Sequence, residues 1–187
     1  MFARIAIAAF FAALLALLPG AARADGIELA NLATRRVEDG LELSFSTRFE
    51  LSHAAEEALH KGVPLYFVAE ANVLRNRWYW RDARISRVER TWRLAWQPLT
   101  RQYRVSMGGL HQSFQTLDDA LDVLRGQSGW RIAEPRDIED SGSSYYIEFS
   151  YRLDVSQLPR PMQIGLQSGF ALNIDEKRSF AADFTLK

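Results

Sequence analysis

The chain has 187 residues, 23 basic and 23 acidic, and no cysteine. The missing thiols exclude disulfides, cysteine zinc sites and thiol chemistry, and the neutral total means that any charged surface must arise from segregation along the chain. Such segregation is present: Arg75 to Arg104 holds nine arginines against Asp82 and Glu89, a formal +7.

Met1 to Arg4, an apolar run from Ile5 to Leu18 and the small-x-small site Ala22, Arg23, Ala24 follow the order of a secretory signal peptide cleaved after Ala24. The apolar run of 14 residues is shorter than the stretch of about 20 that a helix needs to cross hydrocarbon. The expected mature chain, residues 25–187, is periplasmic or secreted and not an integral membrane protein. Its 163 residues suit one domain that builds a core without staples.

Ile27 to Val37 and Leu41 to Leu51 read as two strands joined by Asp39 and Gly40, a dipeptide that favours a tight hairpin. Leu41, Leu43, Phe45, Phe49 and Leu51 point one way and polar residues the other. Ser52 is an N-cap for a short helix through Leu59, with Gly62 near its end. On that helix His53 with Glu57, and Glu56 with His60, share faces; a metal would require a third ligand from elsewhere, so no metal and no cofactor are expected. Val63 to Leu74 is nearly continuously apolar and reads as a central strand.

Within the cationic stretch, Val88, Trp92, Leu94 and Trp96 share one parity and Arg87, Glu89, Thr91, Arg93 and Gln97 the other, so most of its tryptophans belong to the core. Trp78 and Trp80 keep the parity of Val88 while Tyr79, Ala83 and Ile85 oppose it; a bulge near Asp82 to Arg84 reconciles them. After Pro98, Tyr103, Val105 and Met107 turn inward and Arg104 and Ser106 outward. Gly108 and Gly109 are expected to open a loop, followed by a helix capped by Thr116 and ending at Gly126. Gln127 to Ser144 reads as loops around a short strand at Trp130 to Ala133, and Tyr145 to Leu153 alternates as a strand. Leu158 to Pro161 is a constrained connection. Two strand-like runs close the chain, one with Phe170, Leu172 and Ile174, the other with Phe180, Ala182, Phe184 and Leu186. Many short strands and two short helices predict a mainly β domain, an antiparallel β-sandwich or open barrel of immunoglobulin-like architecture without its disulfide.

Arg77, Trp78, Tyr79, Trp80 and Asp82, then Leu99 to Arg104, then Leu153, Asp154, Ser156, Leu158, Pro159 and Pro161 resemble the motifs of an exported proteobacterial family, domain of unknown function 4390. The resemblance implies export, no established activity and no catalytic residues to carry over. Members are often encoded beside a membrane sensor kinase of the nitrogen-regulation type, which implies a signalling partner.

No serine elbow, phosphate loop, dinucleotide fingerprint or His-Glu-x-x-His motif is present. The three histidines are His53, His60 and His111, and no pair of carboxylates converges. The expectation is a non-enzymatic periplasmic binding or signalling accessory protein, with a patch at Arg77, Trp78, Trp80, Asp82, Arg101 and Arg104. Its partners would be an envelope protein such as a sensor-kinase ectodomain, or an anionic lipid or glycan, and not nucleic acid, which export makes remote. The alternatives are a carrier of an apolar or lipid ligand between the sheets and an uncharacterised hydrolase with His111 as base.

Overall fold

The computed structural model describes residues 26–77, 81–138, 144–158, 173–180 and 184–186. The signal segment, Trp78 to Trp80, the prolines at 159 and 161, Phe170, Leu172 and Ala182 lie outside the described residues.

Strands β1 (Glu28–Val37) and β2 (Gly40–Arg48) form the expected hairpin. Its turn needs glycine: Gly40 has φ +124°, and a Cβ there would meet the Ala133 carbonyl oxygen at 2.1 Å. Helix α1 (His53–His60) begins where the Ser52 hydroxyl accepts from the Ala55 N–H at 3.3 Å. Strand β3 (Leu65–Arg75) then pairs along its length with β4 (Ala83–Gln97) on one side and with β8 (Tyr145–Leu153) on the other. The chain also contains β5 (Gln102–Met107), β6 (Leu110–Phe114), helix α2 (Leu117–Leu124), β7 (Gly126–Ala133) and β9 (Asn173–Ser179). All pairings are antiparallel.

Two sheets result, one ordered β1-β2-β7 and one ordered β6-β5-β4-β3-β8-β9. They are not closed into a barrel. Between them lie Leu41, Leu43 and Phe45 of β2, Phe67, Ala69 and Val73 of β3, Trp92 and Leu94 of β4, and Ile147, Phe149 and Tyr151 of β8, all buried. Phe45 is the hub: its ring lies 5.0 Å from Phe149, 5.5 Å from Tyr151 and 6.3 Å from Trp92. Burying each of the larger of these side chains stabilises the fold by about 1.5–3 kcal/mol, so a strictly alternating β2 is enough to fix which face meets the larger sheet.

Three elements depart from the sequence reading. Gly108 and Gly109, at φ +55° and +87°, make the two-residue turn of a β5–β6 hairpin rather than opening a loop. The sequence of β6 concealed it, because four of its five residues are exposed and an edge strand has no apolar alternation to show. Strand β7 starts at Gly126, earlier than Trp130, because its first residues pair with β2 while carrying small or polar side chains. Finally, β9 takes in Ile174 from the first of the two apolar runs expected at the end of the chain and continues through the charged residues that follow it. It is an edge strand in which two acids, Asp175 and Glu176, precede two bases, Lys177 and Arg178, with Ile174 as its buried residue.

Candidate functional site

The cationic stretch spans the whole length of β4. The β3–β4 connection carries Arg77 and Asp82, and the β4–β5 turn carries Arg101, with Arg104 shortly after it. Fifteen residues of strand separate the two ends, about 45 Å. The four described residues of the proposed patch therefore do not meet: Arg77 and Asp82 belong to one end and Arg101 and Arg104 to the other; Trp78 and Trp80 lie outside the described residues.

At the first end Asp82 accepts from the Arg77 backbone N–H at 3.2 Å and from the Tyr146 hydroxyl at 2.7 Å. The Tyr146 bond, then the Arg77 bond, hold the carboxyl below its ordinary range. Burial, and secondarily Asp82, push the Tyr146 hydroxyl up to about 12. Lys177 covers the same ring, 4.0 Å from its centroid. Asp82 is thus anchored through the backbone of Arg77, and its role is to tie the connection to β8. The expected bulge is present close by, at Ile85, where Val73 pairs with Ser86 and Leu74 with Arg84.

At the second end the turn Pro98 to Arg101 projects fully exposed Leu99, and Arg101 sits at φ +52°. The outward face of the larger sheet begins here. Alternation places Arg93 and Gln97 of β4, Gln102, Arg104 and Ser106 of β5, Tyr66 and Val68 of β3 and Arg152 of β8 on that face, and pairing sets Arg93 opposite Tyr66 and Ser106, Arg104 opposite Ala95, and Arg152 opposite Val68. Arg93 and Arg104 are diagonal neighbours on adjacent strands, about 7–8 Å apart. Among the described residues no ion pair engages Arg93, Arg101, Arg104 or Arg152; Arg152 lies at the border of the lobe, where its charge acts on Glu70 and on Asp154, whose N–H donates to the Tyr66 carbonyl. The Nε of Arg104 is buried without a hydrogen-bond partner among the described residues.

The acids of this face lie further along it. Glu70 of β3, Glu89 of β4, Glu148 of β8 and Asp175 of β9 gather about the middle, and Glu70, Asn72, Glu148, Ser150, Asp175 and Lys177 line a hollow of about 360 Å³. Arg87 is neutralised there, 2.9 Å from Glu70. The Asn72 amide, then Arg87, hold the Glu70 carboxyl low. The face is therefore bipolar, a basic lobe at the β4–β5 end beside an acidic hollow.

A model of the family described as Domain of unknown function (DUF4390) matches residues 24–177. The chain belongs to that family. No curated protein and no solved structure matches it. The DUF4390 match takes in both ends of β4, the basic lobe and the acidic hollow, and the family description assigns no activity.

Elsewhere in the DUF4390 chain, a histidine and a tyrosine meet at the end of α1. His60 Nε2 and the Tyr103 hydroxyl share a hydrogen bond of 2.7 Å, and the His60 ring stands edge-on to Trp96, 5.4 Å away. Burial, then Glu56, raises the Tyr103 hydroxyl. This cluster seats α1 on the β4–β5 end of the sheet. Among the described residues no group of three or more histidines and acids is placed to hold a metal ion, and no helix is long and apolar enough to cross a membrane. Arg93 and Arg152 belong to the lobe and were not in the sequence-derived patch. Their outward parity was readable, but their placing on one face depends on β3 lying between β4 and β8.

Proposed function

We propose that this protein is a non-enzymatic binding or signalling accessory protein of the cell envelope, and that its basic lobe docks an acidic surface of an envelope protein. A sensor-kinase ectodomain is the partner class the family resemblance favours. The observation that carries the reading is the lobe itself: Arg93 and Arg104 share one sheet face and engage no ion pair among the described residues, with Arg101 at the rim and Arg152, near Glu70 and Asp154, at the border. Guanidinium groups bind carboxylates as planar forks, and a lobe of one sign beside a hollow of the other attracts and orients a partner of complementary pattern. His111, the base of the hydrolase alternative, has no side-chain hydrogen bond to a nucleophile or an orienting carboxylate among the described residues, which favours binding over hydrolysis. The order of charges, apolar run and small residues at the start of the chain supports export.

In-cell crosslinking in the host, followed by mass spectrometry, tests this. The wild type is expected to capture a defined envelope protein through residues around the lobe, and the Arg93→Glu, Arg104→Glu, Arg152→Glu variant, still folded, to lose it. Equal capture by both would overturn the reading.

A further inference from the structure

The inner side of the β5–β6 hairpin carries a second feature, across the hairpin from the basic lobe. Between that hairpin, helix α2 and the start of β7 lies a cavity of about 250 Å³, lined by Trp92, Val105, Met107, Leu110 and Val123, with His111, Gln112, Gly126 and Gln127 at its edges. It opens between the two sheets at their β6 side. Trp92 forms its buried floor, and Leu110, 75% exposed, stands at its mouth. An apolar space of about 150 Å³ already holds a benzene-sized guest, whereas sites for whole drug-sized ligands start near 300 Å³. The cavity thus suits one end of a ligand. Its walls are aliphatic side chains and the adaptable thioether of Met107 around an indole floor, and its entrance is bounded by a single edge strand.

Strand β6 separates two environments. Leu110 and Gln112 pair with Met107 and Val105 and face the cavity, while His111 and Ser113 pair with Ser106 and Arg104 and face the basic lobe. Among the described residues the side chains of His111 and Gln112 make no hydrogen bond. A chain entering the cavity under β6 would leave its head group at this edge, one strand away from Arg104, where the favourable charge is negative.

The geometry points to a binding site for a single-chain anionic amphiphile, a fatty carboxylate whose chain end lies on Trp92 and whose carboxylate sits at the β6 edge beside Gln112 and His111. The apolar lining supplies the affinity through burial, and the edge supplies the orientation.

Equilibrium dialysis of the purified protein against radiolabelled decanoate, below its micellar concentration, tests the site. Saturable binding of one decanoate per chain is expected, weakened at least about tenfold by Val123→Trp, which fills the cavity, and by Leu110→Asp, which charges its mouth. Leu110 is exposed enough that its variant keeps the fold should Val123→Trp not. No saturable binding by the natively folded wild type, or unchanged affinity in Leu110→Asp, would overturn the site. Decanol bound as tightly as decanoate would overturn the anionic head.

Discussion

The guanidinium of Arg90 lies over the indole of Trp130, 5.4 Å from its centroid, and joins β4 of the larger sheet to β7 of the smaller. Arg90 has the inward parity of Val88 and Trp92, and its burial lowers its pKa. Two residues earlier in the same inward register as Val88, the Ser86 hydroxyl donates to the Ile132 carbonyl. The sandwich is therefore fastened along β4 by polar and cationic contacts as well as by apolar packing. One arginine of the +7 stretch thus serves this seam.

Replacing Arg90 by alanine should remove the stack and its aliphatic stem, and lower stability by about 1–2 kcal/mol. Urea unfolding followed by circular dichroism measures it. Partner capture should persist in the folded variant, since Arg90 faces away from the lobe.

Tyr151 gives a second structural test. Its hydroxyl, fully buried, donates to the Leu124 carbonyl at 2.7 Å and satisfies the end of α2. Burial raises its pKa well above the ordinary value. Tyr151→Phe keeps the ring among Phe45, Phe67 and Trp92 but strands that carbonyl, so a loss of about 1–3 kcal/mol is expected in urea unfolding.

How far the sequence could be read follows from the side of the sheet on which each residue falls. Strands with one buried face, β2 and β8, announce themselves through Phe45 and Phe149, because alternation is imposed by the core. The edge strands β6 and β9 do not, since Leu110 to Ser113 and Asp175 to Arg178 meet solvent or charge on both faces. The helix caps Ser52 and Thr116 were legible because capping is local chemistry. The site was half legible: Arg101 and Arg104 were identified, yet Arg77 was grouped with them because neighbours in a sequence list can sit at opposite ends of a long strand. Arg93 joins Arg104 only once β4 is paired with β5, and Arg152 comes onto the same face only because β8 flanks β3.

At Gly40 the prediction is steric. Gly40→Ala places a methyl group against the Ala133 carbonyl and forces a side chain into a positive φ. Destabilisation of about 3 kcal/mol or more is expected, with the thermal midpoint as the measurement. Gly62→Ala, at φ +87° but with open space around it, should cost markedly less.

Tyr146 makes a pH prediction. Its folded pKa, up to about 12, lies above the ordinary value of 10, so the stability it contributes is present below pH 10 and is lost as pH rises toward 12. Tyr146→Phe should be less stable than wild type at neutral pH by about 1 kcal/mol, through the lost bond to Asp82. Between pH 10 and 12 its stability should stay flatter than that of the wild type, which falls toward it. Urea midpoints across that range decide it; parallel profiles would show that the hydroxyl is not coupled to folding.

The two ends of β4 can be separated functionally. Arg104 stands in the lobe beside Arg93, whereas Arg77 offers its backbone N–H to Asp82 at the far end. If the lobe binds the partner, Arg104→Glu should reduce crosslinking sharply and Arg77→Glu should leave it near wild type, with both variants folded by circular dichroism. Arg87, already 2.9 Å from Glu70, provides the control within the sheet face: Arg87→Gln should change capture little, because a paired guanidinium has less charge to offer. Raising the salt should weaken the wild-type interaction, since exposed charges are screened beyond about 8 Å at physiological ionic strength, and should barely affect what remains in Arg104→Glu. Loss of capture in Arg77→Glu alone would move the docking surface to the β3–β4 end, about 45 Å away.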